Sequence, residues 1–340
     1  MKIFTKKIFA VLLLLMSNHL MAQDLHFSQH YMTPLEVNPA LVGQFNGCFR
    51  MNANYRNQWG SMMGSSSFQT IAFSADMPLL KEQLKNGFFG VGLDFYSDKA
   101  GDVSYGTQSI GFTFGYCKIL NKKKPLTLSA AFHIANWNKK IDIASVTLDD
   151  MTDLHNITTG GISFMDFGLG TFVHHQPLNW LSYNVGLSAY HINSINQTFV
   201  KLDDNLGKKI QLHGNAYIQA SDAYTIIPTM LFISQQKARE LQISMMNKVL
   251  IDDNGSSETA IYFGLGTRVA HPSIDAMMLY FRVDVAHFSL GLSYDFNVSG
   301  LHYTTNSFGG PELALQYLIN CPKSKENVYN KRKKMFCPKF

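Results

Sequence analysis

Three short glycine-containing segments could be mistaken for loops that bind phosphate groups. They are Phe89-Gly90-Val91-Gly92, Phe167-Gly168-Leu169-Gly170 and Phe263-Gly264-Leu265-Gly266. A dinucleotide site needs such glycines between a strand and the N-terminus of a helix. Here each pair lies inside a run of alternating apolar residues, which predicts the interior of a strand. We therefore expect no cofactor, and we expect these glycines to make room for neighbouring side chains or for a plug, or to mark bends in a curved sheet.

Residue types that could catalyse a reaction or bind a metal are present, but their spacing matches no known motif. The chain has neither Gly-x-Ser-x-Gly nor His-Glu-x-x-His, and His174 and His175 lie where a predicted strand meets a turn. The pairs Asp149-Asp150, Asp203-Asp204 and Asp252-Asp253 could hold calcium, but their spacing is not that of an EF-hand and solvated turns are commoner. We predict no catalytic, cofactor or metal site. A membrane-embedded hydrolase that assembles Ser and His from different strands stays open as an alternative.

The four cysteines allow more than one pairing. Cys321 and Cys337 bracket a short basic segment. In an oxidising compartment a disulfide between them would restrict the unfolded chain by on the order of 3 kcal/mol. Cys48 and Cys117 both fall in the inner register of their predicted strands, so they could remain free or meet across a lumen. We predict a possible Cys321–Cys337 disulfide, although spacing alone cannot assign the pairs.

A strict two-residue alternation identifies the elements that carry these side chains. Between Phe288 and Phe296 every second residue is large and apolar, and the residues between them are small or polar. About fourteen segments of this kind follow one another, each near the roughly 9 to 11 residues of a tilted outer-membrane strand. The sequence therefore predicts an all-β protein, an antiparallel transmembrane β-barrel of the outer-membrane type. The first strand places Arg50, Asn52, Asn54 and Arg56 on its inner face.

The N-terminal residues predict export. Lys2, Lys6 and Lys7 precede an apolar run from Ile8 to Met16, and Ala22 offers a cleavage position before Gln23. This run is too short for a comfortable membrane-spanning helix. We divide the chain into a signal peptide (1–22), an ordered periplasmic or plug segment (23–46), the barrel (47–320) and a basic periplasmic tail (321–340).

The charge of the chain is unevenly distributed. Of the net charge of +5, the predicted signal peptide carries +3 and residues 321–340 carry +6, which leaves −4 for residues 23–320. Lys331, Arg332, Lys333 and Lys334 could contact an acidic protein or envelope partner. A solvated tail is the commoner explanation for such a run, and an exported chain is not expected to bind nucleic acid.

The lengths of the connections predict the orientation of the barrel. Bacterial barrels have short periplasmic turns and longer extracellular loops. With both termini in the periplasm, the two longest connections, Asn138 to Gly161 and His191 to Lys208, fall on the cell surface. We therefore expect a multi-pass protein of the cell outer membrane with both termini periplasmic.

Short motifs at both ends of the mature chain carry a family resemblance. They begin with Gln23-Asp24 and extend through Ser74-Ala75-Asp76 and Gly291-Leu292 to the last residue. The motif residues are Phe27, Ser28, Gln29, Pro34, Asn38, Pro39, Ala40, Gly43, Arg50, Tyr55, Arg56, Trp59, Asp76, Tyr294, Asp295, Cys337, Pro338 and Phe340. In their order along the chain they resemble the PorP/SprF family of type IX secretion system outer-membrane proteins of Bacteroidetes. The resemblance implies an outer-membrane barrel that works with the type IX machinery and with a secreted or surface-anchored substrate protein, such as a gliding adhesin.

Two further expectations concern the opening segment and the first strand. Asn38-Pro39-Ala40 forms turns readily and Phe27, Leu35 and Val42 are apolar, so we expect this segment to be ordered under or inside the barrel; a flexible leader is the alternative. Arg50 and Arg56 face inward, where Asp76, Asp94 or Asp295 could pair with them. An internal ion network is favoured over a ligand site, because unpaired charge would be costly there unless water fills the lumen.

Three functions are compatible with these observations. The first is a non-enzymatic component of type IX secretion that supports export or surface attachment of a partner protein, with outer-membrane lipid around the barrel. The second is a channel for small molecules, and the third and less favoured is an outer-membrane hydrolase. Only the family resemblance separates the first from the other two.

Overall fold

The computed structural model describes most of the chain from Phe27 to Cys321. The described residues are 27–60, 64, 67–81, 83–100, 105–140, 161–196, 205–253, 258–270, 273–300 and 307–321. Lys331 to Lys334, Cys337, Pro338 and Phe340 lie outside them, as do Asp149-Asp150 and Asp203-Asp204.

Fourteen antiparallel strands form one closed barrel, in which each strand pairs with its neighbours in the chain and the first pairs with the last. The predicted fold class is confirmed. The strands are β1 (Phe49–Gln58), β2 (Phe68–Leu79), β3 (Gly87–Ala100), β4 (Tyr105–Asn121), β5 (Leu126–Lys140), β6 (Gly161–Leu178), β7 (Leu181–Tyr190), β8 (Lys209–Gln219), β9 (Tyr224–Gln235), β10 (Ala238–Asp253), β11 (Glu258–Ala270), β12 (Ser273–Ala286), β13 (Phe288–Asn297) and β14 (Phe308–Ile319).

The alternation in the sequence gives the barrel an apolar outer surface and a polar inner surface. On β13, Leu290 and Leu292 face outward and are exposed, whereas Ser293 and Asp295 face inward and are buried. An outward band of large apolar side chains is what a barrel needs to sit in lipid. No helix among the described residues is long and apolar enough to cross a membrane.

The two ends of the barrel differ in the length of their connections. We call the end where β1 begins and β14 finishes the terminal end, and the opposite end the loop end. The connections at the terminal end span between one and seven residues, from the single His287 to residues 80–86. The two longest connections of the chain, residues 141–160 and 191–208, both belong to the loop end.

The interior of the barrel is filled by the chain that precedes β1. We call residues 27–46 the plug. It contains a 3₁₀ turn (His30–Met32), the short helix α1 (Pro34–Val37) and a second 3₁₀ turn (Pro39–Leu41). Its apolar side chains are buried against inward residues of the wall, as Leu35 and Val42 are in one cluster with Ala131 and Phe172. The hydrophobic core of this protein is therefore the contact between plug and barrel.

The predicted Cys321–Cys337 disulfide is wrong, because Cys321 is bonded to Cys48, with the two Cα atoms 4.9 Å apart. Closure of the barrel explains this pairing. Pairing of β1 with β14 sets Phe49 opposite Ile319, so the residues just outside these strands meet at the terminal end. Cys117 is a buried free cysteine.

Candidate functional site

Ser28 fastens the plug to the wall near the loop end. Its hydroxyl donates to the carboxylate of Asp295 at 2.7 Å and accepts a hydrogen bond from Arg56 Nη1, also at 2.7 Å. Its backbone N–H donates to Glu312 Oε2 at 2.8 Å, and the next N–H, that of Gln29, donates to Glu312 Oε1 at 2.9 Å. One turn of the plug thus satisfies two wall carboxylates.

Two guanidinium groups balance those carboxylates. Arg56 contacts Asp295 at 2.8 Å and Glu312 at 3.2 Å, and Arg268 contacts Asp295 at 2.9 Å. All four side chains are buried. We call Ser28, Arg56, Arg268, Asp295 and Glu312 the loop-end latch. Charges buried in this way persist because each has a partner of opposite sign and a hydrogen bond.

A second, simpler latch holds the other end of the plug. Arg50 makes a bidentate pair with Asp76, with Nε–Oδ1 and Nη2–Oδ2 distances of 2.9 Å. The same carboxylate accepts the backbone N–H of Gly43 at 2.7 Å, and Arg50 Nη2 donates to the carbonyl of Leu41 at 3.1 Å. Gly43 has φ of +71°, a conformation that glycine adopts without strain. We call Arg50, Asp76 and Gly43 the terminal-end latch.

Asn38 organises the middle of the plug. Its side-chain oxygen accepts the N–H of Ala40 at 2.9 Å, which begins the second 3₁₀ turn. Its amide donates to the carbonyl of Thr171 at 2.9 Å and to Nε2 of His213 at 3.0 Å. A methyl group on Gly170 would overlap this side chain. At this position the inner glycine makes room for the plug.

His30 and Tyr31 follow the loop-end latch residues Ser28 and Gln29 in the plug. His30 is buried, whereas Tyr31 is partly buried and packs against the wall. The ring of Tyr31 lies edge-on to Tyr280, with 6.2 Å between the ring centroids. The hydroxyl of Tyr280 in turn donates to the carbonyl of Ser28 at 3.3 Å.

The structure brings many of the motif residues together and separates others. The plug residues named in the sequence, together with Arg50, Arg56, Asp76 and Asp295, all belong to the plug, its latches or their immediate contacts. Tyr55 and Tyr294 face outward instead, and Trp59 follows the end of β1, where its backbone N–H donates to the carbonyl of Gly309. Asp94 pairs with His133 at 3.1 Å rather than with either arginine.

Three contributors were missed at the level of the sequence. Glu312 and Arg268 complete the loop-end latch, and His213 accepts from Asn38. The available signal for Glu312 was a carboxylate in the inner register of its strand. The predicted turn position of His174 and His175 is wrong, since both lie within β6. Among the described residues, no group of three or more His, Cys, Asp or Glu side chains is arranged to hold a metal ion.

A cavity beside the plug opens at the terminal end. It has a volume of about 350 Å³ and is lined partly by Asn46, Tyr217, Lys248 and Tyr262. Lys248 forms an ion pair with Glu258 on its wall. The cavity is bordered by the last residue of the plug, and the two latches lie at other parts of the wall.

Comparison with known proteins gives one family and a set of barrels. Residues 20–317 match the family described as type IX secretion system membrane protein PorP/SprF. No curated protein is significantly similar in sequence. Among solved structures, the CymD monoaromatic hydrocarbon channel aligns with a TM-score of 0.49 and 8% identity over 88% of this chain and 95% of that chain. The Ralstonia pickettii toluene transporter TbuX aligns with a TM-score of 0.46 and 7% identity, over 84% and 93% respectively.

Proposed function

The chain belongs to the PorP/SprF family of type IX secretion system membrane proteins, and from that premise we propose that it is a non-enzymatic docking component of the system in the outer membrane. In this role it supports the export or the surface attachment of a partner protein, such as an adhesin. The family match shows membership of the family, and the docking role and the class of partner are what we propose.

The observation that carries the proposal is the seated plug. Two buried latches and the bonds of Asn38 join the plug to the wall on several sides, so that plug and barrel form one packed body. Because its interior is filled, this barrel is better suited to bind partner proteins at its ends than to conduct a solute through its lumen. Solute transport would require the buried ion pairs of both latches to separate, at a cost of several kcal/mol for each uncompensated charge.

The two ends supply different docking surfaces in this proposal. At the loop end, residues 141–160 and 191–208 are long enough to meet a secreted or surface-anchored protein. At the terminal end, Lys331, Arg332, Lys333 and Lys334 offer positive charge to an acidic partner in the secretion machinery. Outer-membrane lipid surrounds the apolar band between the ends. The basic residues lie outside the described part of the chain, and their role stays a prediction.

The test compares the surface and secreted proteomes of cells with and without the gene, together with co-purification from outer membranes. We expect one or a few surface proteins to be lost from the cell surface, retained inside the cell and recovered bound to the barrel in wild-type cells. An unchanged proteome with lost uptake of a small solute, or concentration-dependent conductance of the purified protein in bilayers, would establish the channel instead.

A charge-matched pair of variants tests the basic segment. One variant replaces three of the four basic residues, Lys331, Lys333 and Lys334, with Gln. The control replaces Lys122, Lys123 and Lys124, which form an exposed basic turn at the same end of the barrel. We expect only the first variant to lose co-purification with periplasmic components. Equal losses would indicate a nonspecific charge effect, and unchanged co-purification would remove the tail from the docking role.

A further inference from the structure

The plug crosses the lumen lengthwise. Its first latch uses Arg56, the eighth residue of β1, and its second uses Arg50, the second residue of the same strand. Six residues of strand span about 20 Å. Between Ser28 and Gly43 the chain therefore descends most of the length of β1, from the loop end towards the terminal end.

Packing at both ends of the plug supports the same direction. Phe27 is buried with Ala72 and Tyr96, which lie in the halves of β2 and β3 nearer the loop end. At the other end Gln44 donates to Ser129, close to the start of β5 at the terminal end. Asn46 is exposed there, immediately before β1 begins.

We infer that the chain enters the barrel from the loop end, so that residues before Phe27 and residues after Cys321 are presented on opposite sides of the outer membrane. The disulfide with Cys48 fixes Cys321 at the terminal end. This arrangement departs from the expectation that both ends of the mature chain lie in the periplasm. With the long connections on the cell surface, as their lengths predict, the start of the mature chain also lies on the surface face.

The distances allow this path. Cleavage before Gln23, as expected from the sequence, leaves Gln23 to His26 ahead of Phe27. Four extended residues reach about 13 Å. Only Asn57 and Gln58 of β1 lie beyond the level of Arg56, which is about 7 Å of strand. The short segment can therefore reach the mouth of the barrel at the loop end.

This inference also orders two events in assembly. Arg50 and Arg56 belong to a strand that closes the barrel, and both are bonded to the plug. The barrel therefore closes around the plug. Removal of the apolar signal peptide must come first, because its uncleaved run from Ile8 to Met16 would otherwise have to pass the loop end. None of these steps depends on which partner the barrel serves, so the inference goes beyond the proposed function.

The experiment maps single cysteines with a membrane-impermeant maleimide on intact and permeabilised cells. The background carries Cys337→Ser, and the remaining cysteines are disulfide-bonded or buried. The test variant has a short Gly-Ser segment with one cysteine between Gln23 and Asp24. Thr158→Cys reports on a long connection at the loop end, and Lys123→Cys reports on a turn at the terminal end.

We expect the test cysteine to behave like Thr158→Cys and opposite to Lys123→Cys, with equal labelling of intact and permeabilised cells. Labelling that follows Lys123→Cys would overturn the inference, and so would a test cysteine that is inaccessible in both preparations. Heat-modifiable migration on SDS gels checks that each barrel is folded. If the insertion prevents folding, Asp24→Cys without the insertion is read in the same way.

Discussion

Arg50 and Arg56 stand six residues apart on β1 and hold opposite ends of the same plug. Arg56 donates to the hydroxyl of Ser28, and Arg50 donates to the carbonyl of Leu41. Because strand residues separated by an even number share a face, one strand can supply both cations to the lumen. The two arginines on the polar inner face of β1 thus belong to two separate latches.

Replacing Arg56 should unlock the plug. The variant Arg56→Met leaves Asp295 and Glu312 buried with less compensating charge, and the expected loss is about 3 to 5 kcal/mol of unfolding free energy. Lys248→Met is the control, since its ion pair with Glu258 lies closer to solvent and should contribute less. Urea unfolding in detergent micelles measures both. Equal, small losses would mean that the loop-end latch is not important for stability.

The contact between Gly170 and Asn38 should be sensitive to a single methyl group. Gly170→Ala is expected to cost about 1 to 3 kcal/mol, because the added methyl overlaps the Asn38 side chain. The same change in an Asn38→Ala background should cost less, since part of the obstacle is gone. Gly300→Ala is the control, because its added methyl would meet no atom within 4 Å. Additive effects of the two changes would contradict this packing.

The wall of the barrel could be predicted from the sequence because its signal is local. A two-residue period assigns each side chain to one face, so the inward positions of Arg50, Arg56 and Asp295 followed directly from the pattern. Strands β1 and β2 are also consecutive in the chain, and their pairing places Asp76 opposite Arg50.

Features that depend on barrel closure could not be predicted. Glu312 meets Arg56, and Cys321 meets Cys48, only because the last strand pairs with the first. No local pattern encodes a contact over so long a separation in the chain. The path of the plug is similarly hidden, because its turns and apolar residues predict order but not direction.

An arginine on the outward face of the barrel should destabilise it more when it lies nearer the membrane midplane. Leu292 lies in the middle of the strand and is 45% exposed, so Leu292→Arg should cost about 2 to 4 kcal/mol at the membrane midplane. Leu120 also faces outward but lies next to the end of β4, where Leu120→Arg should cost no more than about 1 kcal/mol. The amount of heat-modifiable barrel in outer membranes measures assembly. Normal levels of Leu292→Arg would contradict the outward assignment.

The Cys48–Cys321 disulfide predicts which thiols can be titrated. Peptide mapping of the non-reduced protein should recover fragments of the first and last strands joined through Cys48 and Cys321, with Cys117 as a free thiol. Cys48→Ser should remove the cross-link and lower stability by up to about 4 to 5 kcal/mol, because the bond closes a very long loop in the unfolded chain. The control Cys337→Ser should leave both the cross-linked peptide and the urea midpoint unchanged. Recovery of a Cys321–Cys337 peptide instead would show that β1–β14 pairing alone holds the seam of the barrel.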